Sequence, residues 1–236
     1  MQRFYYPRSL TPDMEITEDT LLHQIGRVMR AKIGEKIILF SWDGWENIYE
    51  IQRIDKKRII LRWVETYRNR TINEHNIHLY QAIPNKYEKI EYIIEKWVEV
   101  GIRYFTFFRS DFSQKLHISP AKEERFRTIA REALEQCGGA FLPEIEFVEG
   151  IDYREDFTYP PFVLHTNVQK SSNKWTLLQG YTFFVWPEWW WSPREIEIMQ
   201  ERGFIFVHFW ERILRTETAS SVFAFLLLHR RDIPDP

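Results

Sequence analysis

Residues 181–195 have the sequence YTFFVWPEWWWSPRE, which predicts a strand, a loop and the start of a helix. The first five residues are mostly aromatic or β-branched, as in a short buried strand. A helix start follows, with Ser192 as N-cap, Pro193 in the first helical position and Glu195 three residues after the cap. Gly203 stands where a helix C-terminus favours glycine. This order of elements is one repeat of an α/β fold.

The same alternation extends to both sides of this stretch. The predicted strands are Ile77–Ala82, Tyr104–Phe108, Phe162–His165, Tyr181–Val185 and Phe204–Phe209, and the further helices are Lys86–Val100, Glu123–Cys137 and Glu217–His229. Strands that alternate with helices favour a mostly parallel sheet. We therefore predict an α/β domain over residues 73–236.

The first 72 residues have a different pattern of apolar residues. Short apolar runs at Lys36–Phe40, Tyr49–Ile54 and Arg58–Val64 predict strands, and Glu18–Ala31 predicts a short helix. The pattern favours a small β-rich domain over residues 1–72, with the boundary near Thr71.

Composition narrows the class of protein. The chain has 236 residues, a net charge of −2 and one cysteine, Cys137, which excludes an internal disulfide framework and a cysteine-based zinc site. No run approaches 18 apolar residues, and residues 1–6 lack the features of a signal peptide. We expect a cytoplasmic protein with no membrane partner and no metal.

Charge is unevenly distributed along the chain. Residues 1–71 contain 13 lysines and arginines against 10 acidic residues, so this segment is basic while the remainder is acidic. A basic cluster lies within ten residues: Arg53, Lys56, Lys57, Arg58 and Arg62. Such a cluster could contact phosphates, or it could be an ordinary solvated turn.

A ligand site is expected in the loops after the strands, since α/β sheets bind ligands at the carboxyl ends of their strands. Three loops qualify: 164–167, 186–192 and 210–216. The third leads into a buried helix with Arg212, Arg215 and two threonine hydroxyls nearby. These groups would suit an anionic ligand or a nucleotide.

Residues 212–219, RILRTETA, resemble the signature of bacterial methyltransferases that modify the N-3 position of a uridine in small-subunit ribosomal RNA. That family belongs to the SPOUT superfamily, whose C-terminal chain forms a trefoil knot. The resemblance covers nearly the whole chain, through these further matches: Arg3-Phe4-Tyr5, 23–30, Gly34, Gln81-Ala82-Ile83-Pro84, Lys96, Glu99, Gly101, Glu132-Ala133, Gln136-Cys137-Gly138, Leu142-Pro143, Pro187-Glu188 and Ser192.

The resemblance implies a knotted SPOUT domain with a parallel sheet, preceded by a PUA-like β-barrel that binds RNA. It implies a homodimer that acts on ribosomal RNA of the small subunit with S-adenosylmethionine as cofactor. The cofactor-binding positions would be Leu164, His165, Trp186, Pro187, Glu188, Trp189, Trp190, Phe209, Trp210, Ile213, Leu214, Thr216, Thr218 and Ala219.

The reaction suggests roles for charged residues. N-3 carries a proton in neutral uridine, so a base must remove that proton or a cation must favour the deprotonated form. Arg215 is the first candidate, followed by Glu188 and Arg212; Arg3, Arg27 and Arg30 would hold the RNA. The alternative for each arginine is a salt bridge in the dimer interface.

The departures from the family pattern are concentrated in the loops. Where the family has glycine, this chain has Trp186, Trp189, Trp190 and Trp210. Trp97 also replaces a small residue, and Phe112 and Gly139 replace arginines. Glycine allows a ligand to approach the main chain closely, so we expect the indoles to fill the cofactor cleft and activity to be reduced or lost.

Two other readings remain open. The chain could be a non-catalytic RNA-binding protein whose aromatic loops stack on bases, or a scaffold without a ligand. The consistent choice of tryptophan favours a deliberately filled pocket, in a variant or in a sequence designed on this backbone, over random drift.

Overall fold

A computed structural model describes residues 1–41, 43–69, 76–165, 180–187, 190–208 and 212–229, with only the backbone of Leu227 and His229. The chain divides into two compact units. The first comprises Met1–Ile72 together with Leu134–Leu142, and the second comprises Asn73–Ala133 together with Pro143–Pro236.

The first unit is built on a curled five-stranded sheet with the strand order β1-β3-β4-β5-β2. Its strands are β1 (Arg3–Tyr5), β2 (Asp13–Ile16), β3 (Lys36–Phe40), β4 (Trp45–Ile54) and β5 (Ile59–Arg68). β1 pairs with β3 in parallel and the other pairs are antiparallel. Alternate residues of these strands close over an apolar core that includes Ile16, Leu39, Ile51 and Leu61.

The predicted helix over Glu18–Ala31 is wrong in its form. The structure has one α-helical turn, α1 (Asp19–Leu22), which continues as a π-helix over His23–Val28. There the Met29 amide bonds to the Gln24 carbonyl, five residues back, at 2.9 Å. Gly26 lies in the middle of this segment and lowers its preference for the α-helix. Wide turns of this kind often accompany functional sites.

The second unit contains a six-stranded sheet in which every pair is parallel, with the order β11-β9-β10-β6-β7-β8. Its elements are β6 (Asn76–Ala82), α2 (Tyr87–Val100), β7 (Tyr104–Phe108), α3 (Pro120–Cys137), β8 (Glu144–Val148), β9 (Pro161–Leu164), β10 (Gly180–Val185), α4 (Pro193–Glu201), β11 (Ile205–Val207) and α5 (Thr216–His229). The predicted fold class, a β-rich domain followed by a parallel α/β domain, is confirmed.

Three strands are absent from the sequence prediction: β1, β2 and β8. β1 and β2 have only three and four residues, too few for a periodic signal. β8 is an edge strand with glutamates on its exposed positions, which weakens its apolar pattern. The predicted strand Phe204–Phe209 is shorter, since β11 covers Ile205–Val207, and Phe209 lies outside the described residues.

Trp97 joins two helices of the second unit. Its side chain is fully buried, lies 5.8 Å from Phe107 in a stacked arrangement, and donates to the Ser220 hydroxyl at 3.1 Å. This contact fixes the start of α5 against α2. Of the helices described, none is long and apolar enough to cross a membrane.

Candidate functional site

The carboxyl ends of β6 and β10, which pair in parallel, are connected to the N-terminus of α5. The side-chain amide of Gln81, at the end of β6, donates to the Thr216 hydroxyl at 2.8 Å. The Thr216 hydroxyl in turn donates to the Trp186 carbonyl at 2.6 Å. A single buried network thus connects β6, the loop after β10 and the first residue of α5. It fixes the backbone of the loop in which sequence analysis places the cofactor.

The indole of Trp186, directly after β10, is buried, with 7% of the residue exposed. It stacks on Trp190, with ring centroids 5.1 Å apart and planes inclined by 30°. Trp190 has φ = +69°, in the left-handed region that favours glycine. A side chain in that conformation costs roughly 1–2 kcal/mol. At Trp190 the backbone therefore has a conformation that favours glycine, although the residue has an indole side chain.

Trp191 packs into the interior next to this pair. It is 3% exposed, stacks on Phe108 and donates from its indole nitrogen to the Leu164 carbonyl at 3.2 Å. This bond connects the loop after β10 to the end of β9. Trp191 thus has a structural role that its position in the sequence does not reveal.

The predicted helix start at Ser192 is confirmed. The Ser192 hydroxyl accepts from the Glu195 amide at 3.1 Å, and the Glu195 carboxylate accepts from the Ser192 amide at 2.8 Å. Tyr153 donates to the same buried carboxylate at 2.9 Å, and burial together with this anion raises the pKa of Tyr153. The capping box therefore also anchors the segment that contains Tyr153.

The other proposed cofactor positions are distributed over several environments. Leu164, Pro187, Thr216 and Ala219 are buried, His165 and Leu214 are half-buried, and Ile213 and Thr218 are exposed. Burial and the charge of the neighbouring His208 lower the pKa of His165. Glu188, Trp189, Phe209 and Trp210 lie outside the described residues.

The two arginines of the signature are exposed. Neither Arg212 nor Arg215 has an ion-pair partner in the described part of the chain. The Arg215 carbonyl accepts from the amides of Thr218 and Ala219, so this residue lies at the N-terminus of α5. A cation at that end opposes the helix dipole. Stabilisation of the helix therefore does not explain why position 215 is an arginine.

The proposed RNA-binding arginines differ in their surroundings. Arg3 is mostly buried, forms an ion pair with Glu46 at 2.6 Å, donates to the Gly139 carbonyl at 3.0 Å and lies 4.5 Å from the Phe40 ring. Its guanidinium joins β1 and β4 to residues 134–142. Arg27 and Arg30 are exposed.

The three arginines of the basic cluster form ion pairs with neighbouring carboxylates. Arg53 and Arg58 each pair with Asp55, Arg58 pairs with Glu15, and Arg62 pairs with Glu50, all at 3.4–3.7 Å. A solvated, salt-bridged turn therefore describes these arginines better than a phosphate-binding cluster.

Gln81 is the residue of the site to which sequence analysis assigned no role. It is fully buried, and its amide nitrogen bonds to Thr216, yet its side-chain oxygen has no hydrogen-bond partner among the described residues. The signal in the sequence is a polar residue at the end of an apolar strand. Throughout the described ranges, no group of three or more His, Cys, Asp or Glu side chains could hold a metal ion.

Comparisons with known proteins agree with this arrangement. The model of the RNA methyltransferase domain family matches residues 71–228, and that of the RNA methyltransferase PUA domain matches residues 17–62. A ribosomal RNA small subunit methyltransferase E from Bacillus subtilis is 29% identical over 226 residues, covering 88% of this chain and 86% of that protein. The same enzyme from Buchnera aphidicola subsp. Schizaphis graminum is 30% identical over 210 residues, covering 84% and 82%.

A solved structure is also similar over its full length. A Legionella pneumophila protein described as a methyltransferase, in complex with the bound cofactor SAM, matches with a TM-score of 0.85 and 26% identity, covering 97% of each chain. This chain belongs to the RNA methyltransferase family, among the proteins named ribosomal RNA small subunit methyltransferase E.

Proposed function

We propose that this protein is a methyltransferase of the kind that uses S-adenosylmethionine to methylate N-3 of a uridine in small-subunit ribosomal RNA, that it is a cytoplasmic homodimer, and that its own activity is reduced or lost because indoles fill the cofactor cleft. The observation that carries the proposal is the network of Gln81, Thr216 and the Trp186 carbonyl. It holds together the carboxyl edge of the parallel sheet, where this fold class binds ligands. Family membership supplies the reaction class.

The exposed arginines beside this edge would promote deprotonation of the uridine at N-3. A guanidinium near N-3 favours the deprotonated, nucleophilic form of the base. Arg215 is the first candidate because it is exposed and has no ion-pair partner in the described residues. Arg212 and Glu188 follow. A salt bridge to a second subunit is the alternative role for either arginine.

The two units would have different functions. Residues 1–72 would bind RNA, with the exposed Arg27 and Arg30 as contacts, and residues 73–236 would carry out methyl transfer. Arg3 is a poor candidate for an RNA contact because its guanidinium is already paired with Glu46 and the Gly139 carbonyl. We propose that Arg3 supports the barrel instead.

The residues now present at the edge do not fit an adenosyl group. The stacked side chains of Trp186 and Trp190 lie where the resemblance predicts glycines and cofactor. An L side chain at φ = +69° and a buried indole both take space that a glycine leaves to a ligand. We infer that the cofactor must displace this pair, so its affinity should be low.

Calorimetric titration of S-adenosylmethionine tests the proposal. The parent chain is compared with a variant that carries Trp186→Gly, Trp189→Gly, Trp190→Gly and Trp210→Gly. We expect tight binding by the variant and weak or no binding by the parent. The matched control is Trp63→Gly, which removes an exposed indole elsewhere and should leave the result of the parent unchanged. Equal affinity of parent and variant would refute the filled cleft.

Transfer of a labelled methyl group to small-subunit ribosomal RNA tests the reaction itself, with the glycine variant as enzyme. Product digestion should yield 3-methyluridine, and Arg215→Ala should lower the rate while Arg215→Lys retains part of it. Retained RNA binding with no transfer by the glycine variant would favour the non-catalytic RNA-binding alternative.

A further inference from the structure

Two tryptophans of the first unit remain on its surface. Trp45, at the start of β4, and Trp63, in β5, are each 44% exposed, although indoles are usually well buried. Single exposed apolar residues need no explanation, but these two indoles lie on paired strands, and Trp63 donates a hydrogen bond to Thr66. The core of this unit does not require either ring.

Polar side chains hold the two strands together on this face. Asn47 and Thr66 are direct partners in the β4–β5 register, and the Thr66 hydroxyl donates to the Asn47 side-chain oxygen at 2.6 Å. The same hydroxyl accepts from the Trp63 indole nitrogen at 2.9 Å. The orientation of the Trp63 ring is thus fixed by a hydrogen bond. A fixed ring loses little entropy when a ligand stacks on it.

Trp45 lies at the edge of an open concavity of about 850 Å³. Besides Trp45, Asn47 and Thr66, it is lined by these residues: Pro7, Arg8, Ser9, Leu10, Ser41 and Asp43. This volume lies within the range of ~300–1,000 Å³ that small-molecule sites occupy. The lining combines one indole with hydrogen-bonding groups, one cation and one carboxylate.

A second cation is adjacent. Arg68 is the register partner of Trp45, so the two side chains leave the sheet on the same face. It is exposed and has no ion-pair partner within the described ranges, whereas Arg8 is paired with Glu18 at 3.4 Å. On the opposite side of the strand, Glu46 is buried and accepts from Tyr67 and Asn69, which anchors the strand beneath.

We propose that the surface formed by Trp45, Trp63, Asn47, Thr66 and Arg68 binds single-stranded RNA. An unstacked base would lie on Trp45, the Asn47 and Thr66 groups would bond to its edge, and Arg68 would contact a phosphate. Aromatic faces with adjacent polar groups and cations are the chemistry that recognises unpaired nucleotides. This inference rests on the proposed function for its choice of RNA, but it assigns the contact to residues other than Arg3, Arg27 and Arg30.

The preference for single strands follows from the geometry of stacking. In a duplex the base faces are covered by their neighbours, so an indole has no face to contact.

Fluorescence anisotropy with a labelled, uridine-containing single-stranded RNA of about ten nucleotides tests the inference on the full chain. We expect Trp45→Ala to weaken binding about tenfold, in line with the contribution of one stacked base, and Trp45→Phe to retain most of the affinity. Arg68→Gln should reduce the salt dependence by about one counterion. The control is Tyr92→Ala, which removes an equally exposed ring of the second unit.

The outcomes separate this inference from the proposed function. Unchanged affinity in Trp45→Ala and Trp63→Ala, equal loss for single- and double-stranded RNA, or no RNA binding by the parent would each overturn the inference. Methyl transfer by the glycine variant despite unchanged binding would leave the proposed function standing. Binding that depends on Trp45, without any methyl transfer, would support the inference and count against the proposed reaction.

Discussion

Tryptophan has opposite roles in the two units of this protein. In the first unit, Trp45 and Trp63 are nearly half exposed, and Trp63 is held by a hydroxyl on the outer face of the sheet. In the second unit, Trp186 and Trp191 are almost fully buried at the edge of the parallel sheet. The same side chain thus offers a surface to a ligand in one unit and occupies interior space in the other.

The difference shows that aromatic content alone does not indicate a binding site. An indole on an antiparallel sheet with one solvated face can remain available, because the alternate residues supply the core. An indole at the end of a parallel strand meets neighbouring loops and helices and becomes buried among them. Whether an indole is available to a ligand therefore depends on the layer of the fold in which the residue lies.

The largest expected effect comes from removing a buried indole. Trp191→Ala should lower the free energy of unfolding by about 3–5 kcal/mol, because a cavity forms next to Phe108 and the bond to the Leu164 carbonyl is lost. Trp45→Ala should change it by less than about 0.5 kcal/mol. Urea denaturation followed by circular dichroism measures both, and similar losses for the two variants would contradict the comparison.

Acid should destabilise the second unit through His78, a half-buried histidine. Burial lowers the pKa of His78 to about 4 from an ordinary 6.5, so between these values the unfolded chain binds a proton that the folded chain does not. Stability should fall as the pH drops from 6.5 towards 4, by up to ~3 kcal/mol, and this contribution should then level off.

The variant His78→Gln should remove most of this pH dependence, since glutamine does not titrate. The exposed His117→Gln serves as control and should retain the slope of the parent. Among its described residues the first unit has only one histidine, His23, which is exposed. Denaturation midpoints at pH 7, 5.5 and 4 give the result, and equal slopes in the His78 variant and the parent would show the assignment to be wrong.

A smaller effect is expected from the polar network beneath Trp186. Thr216→Val removes the donor to the Trp186 carbonyl and leaves Gln81 with one bond fewer in a buried position. The free energy of unfolding should fall by about 1–3 kcal/mol. Thr66→Val, in the exposed network of the first unit, should cost less than about 1 kcal/mol, because water replaces the lost bonds. A larger loss of unfolding free energy in Thr66→Val than in Thr216→Val would contradict this expectation.

The smallest effect concerns the pair of Asp111 and Arg194, with a distance of 2.7 Å. Hydrogen bonds from Arg194, and then from Ser192, lower the pKa of Asp111 below 3.8. The pair therefore stabilises the fold above about pH 4 and loses its effect as the pH falls through the lowered pKa. Because Arg194 is mostly exposed, we expect Asp111→Asn to cost less than about 1 kcal/mol at pH 7.

Thermal unfolding at pH 7 and pH 3 measures this difference. Asp156→Asn, which breaks the more exposed pair with Arg202, is the matched control. A loss in Asp111→Asn that is as large at pH 3 as at pH 7 would show that the ion pair is not its cause.

Local signals were predictable from the sequence, and contacts between distant residues were not. The capping box at Ser192 forms as predicted because Ser192 and Glu195, only three residues apart, each accept a hydrogen bond from the other's backbone amide. The helix over Glu18–Ala31 was predicted with the wrong geometry, since the periodicity that marks an apolar face does not distinguish an α- from a π-turn. Arg3 was read as an RNA contact, yet its partners Glu46 and Gly139 are 43 and 136 residues away.

The sequence by itself determined the alternation of strands and helices in the second unit apart from β8, the membership of a methyltransferase family and the tryptophans at loop positions where that family has glycine, because these are properties of adjacent residues and of motifs. Only the tertiary structure decided that Gln81, Thr216 and Trp186 share one network, that Trp191 is buried and that Trp45 is exposed. Burial and hydrogen bonding depend on which elements pack together, and residues far apart in the chain provide most of those partners.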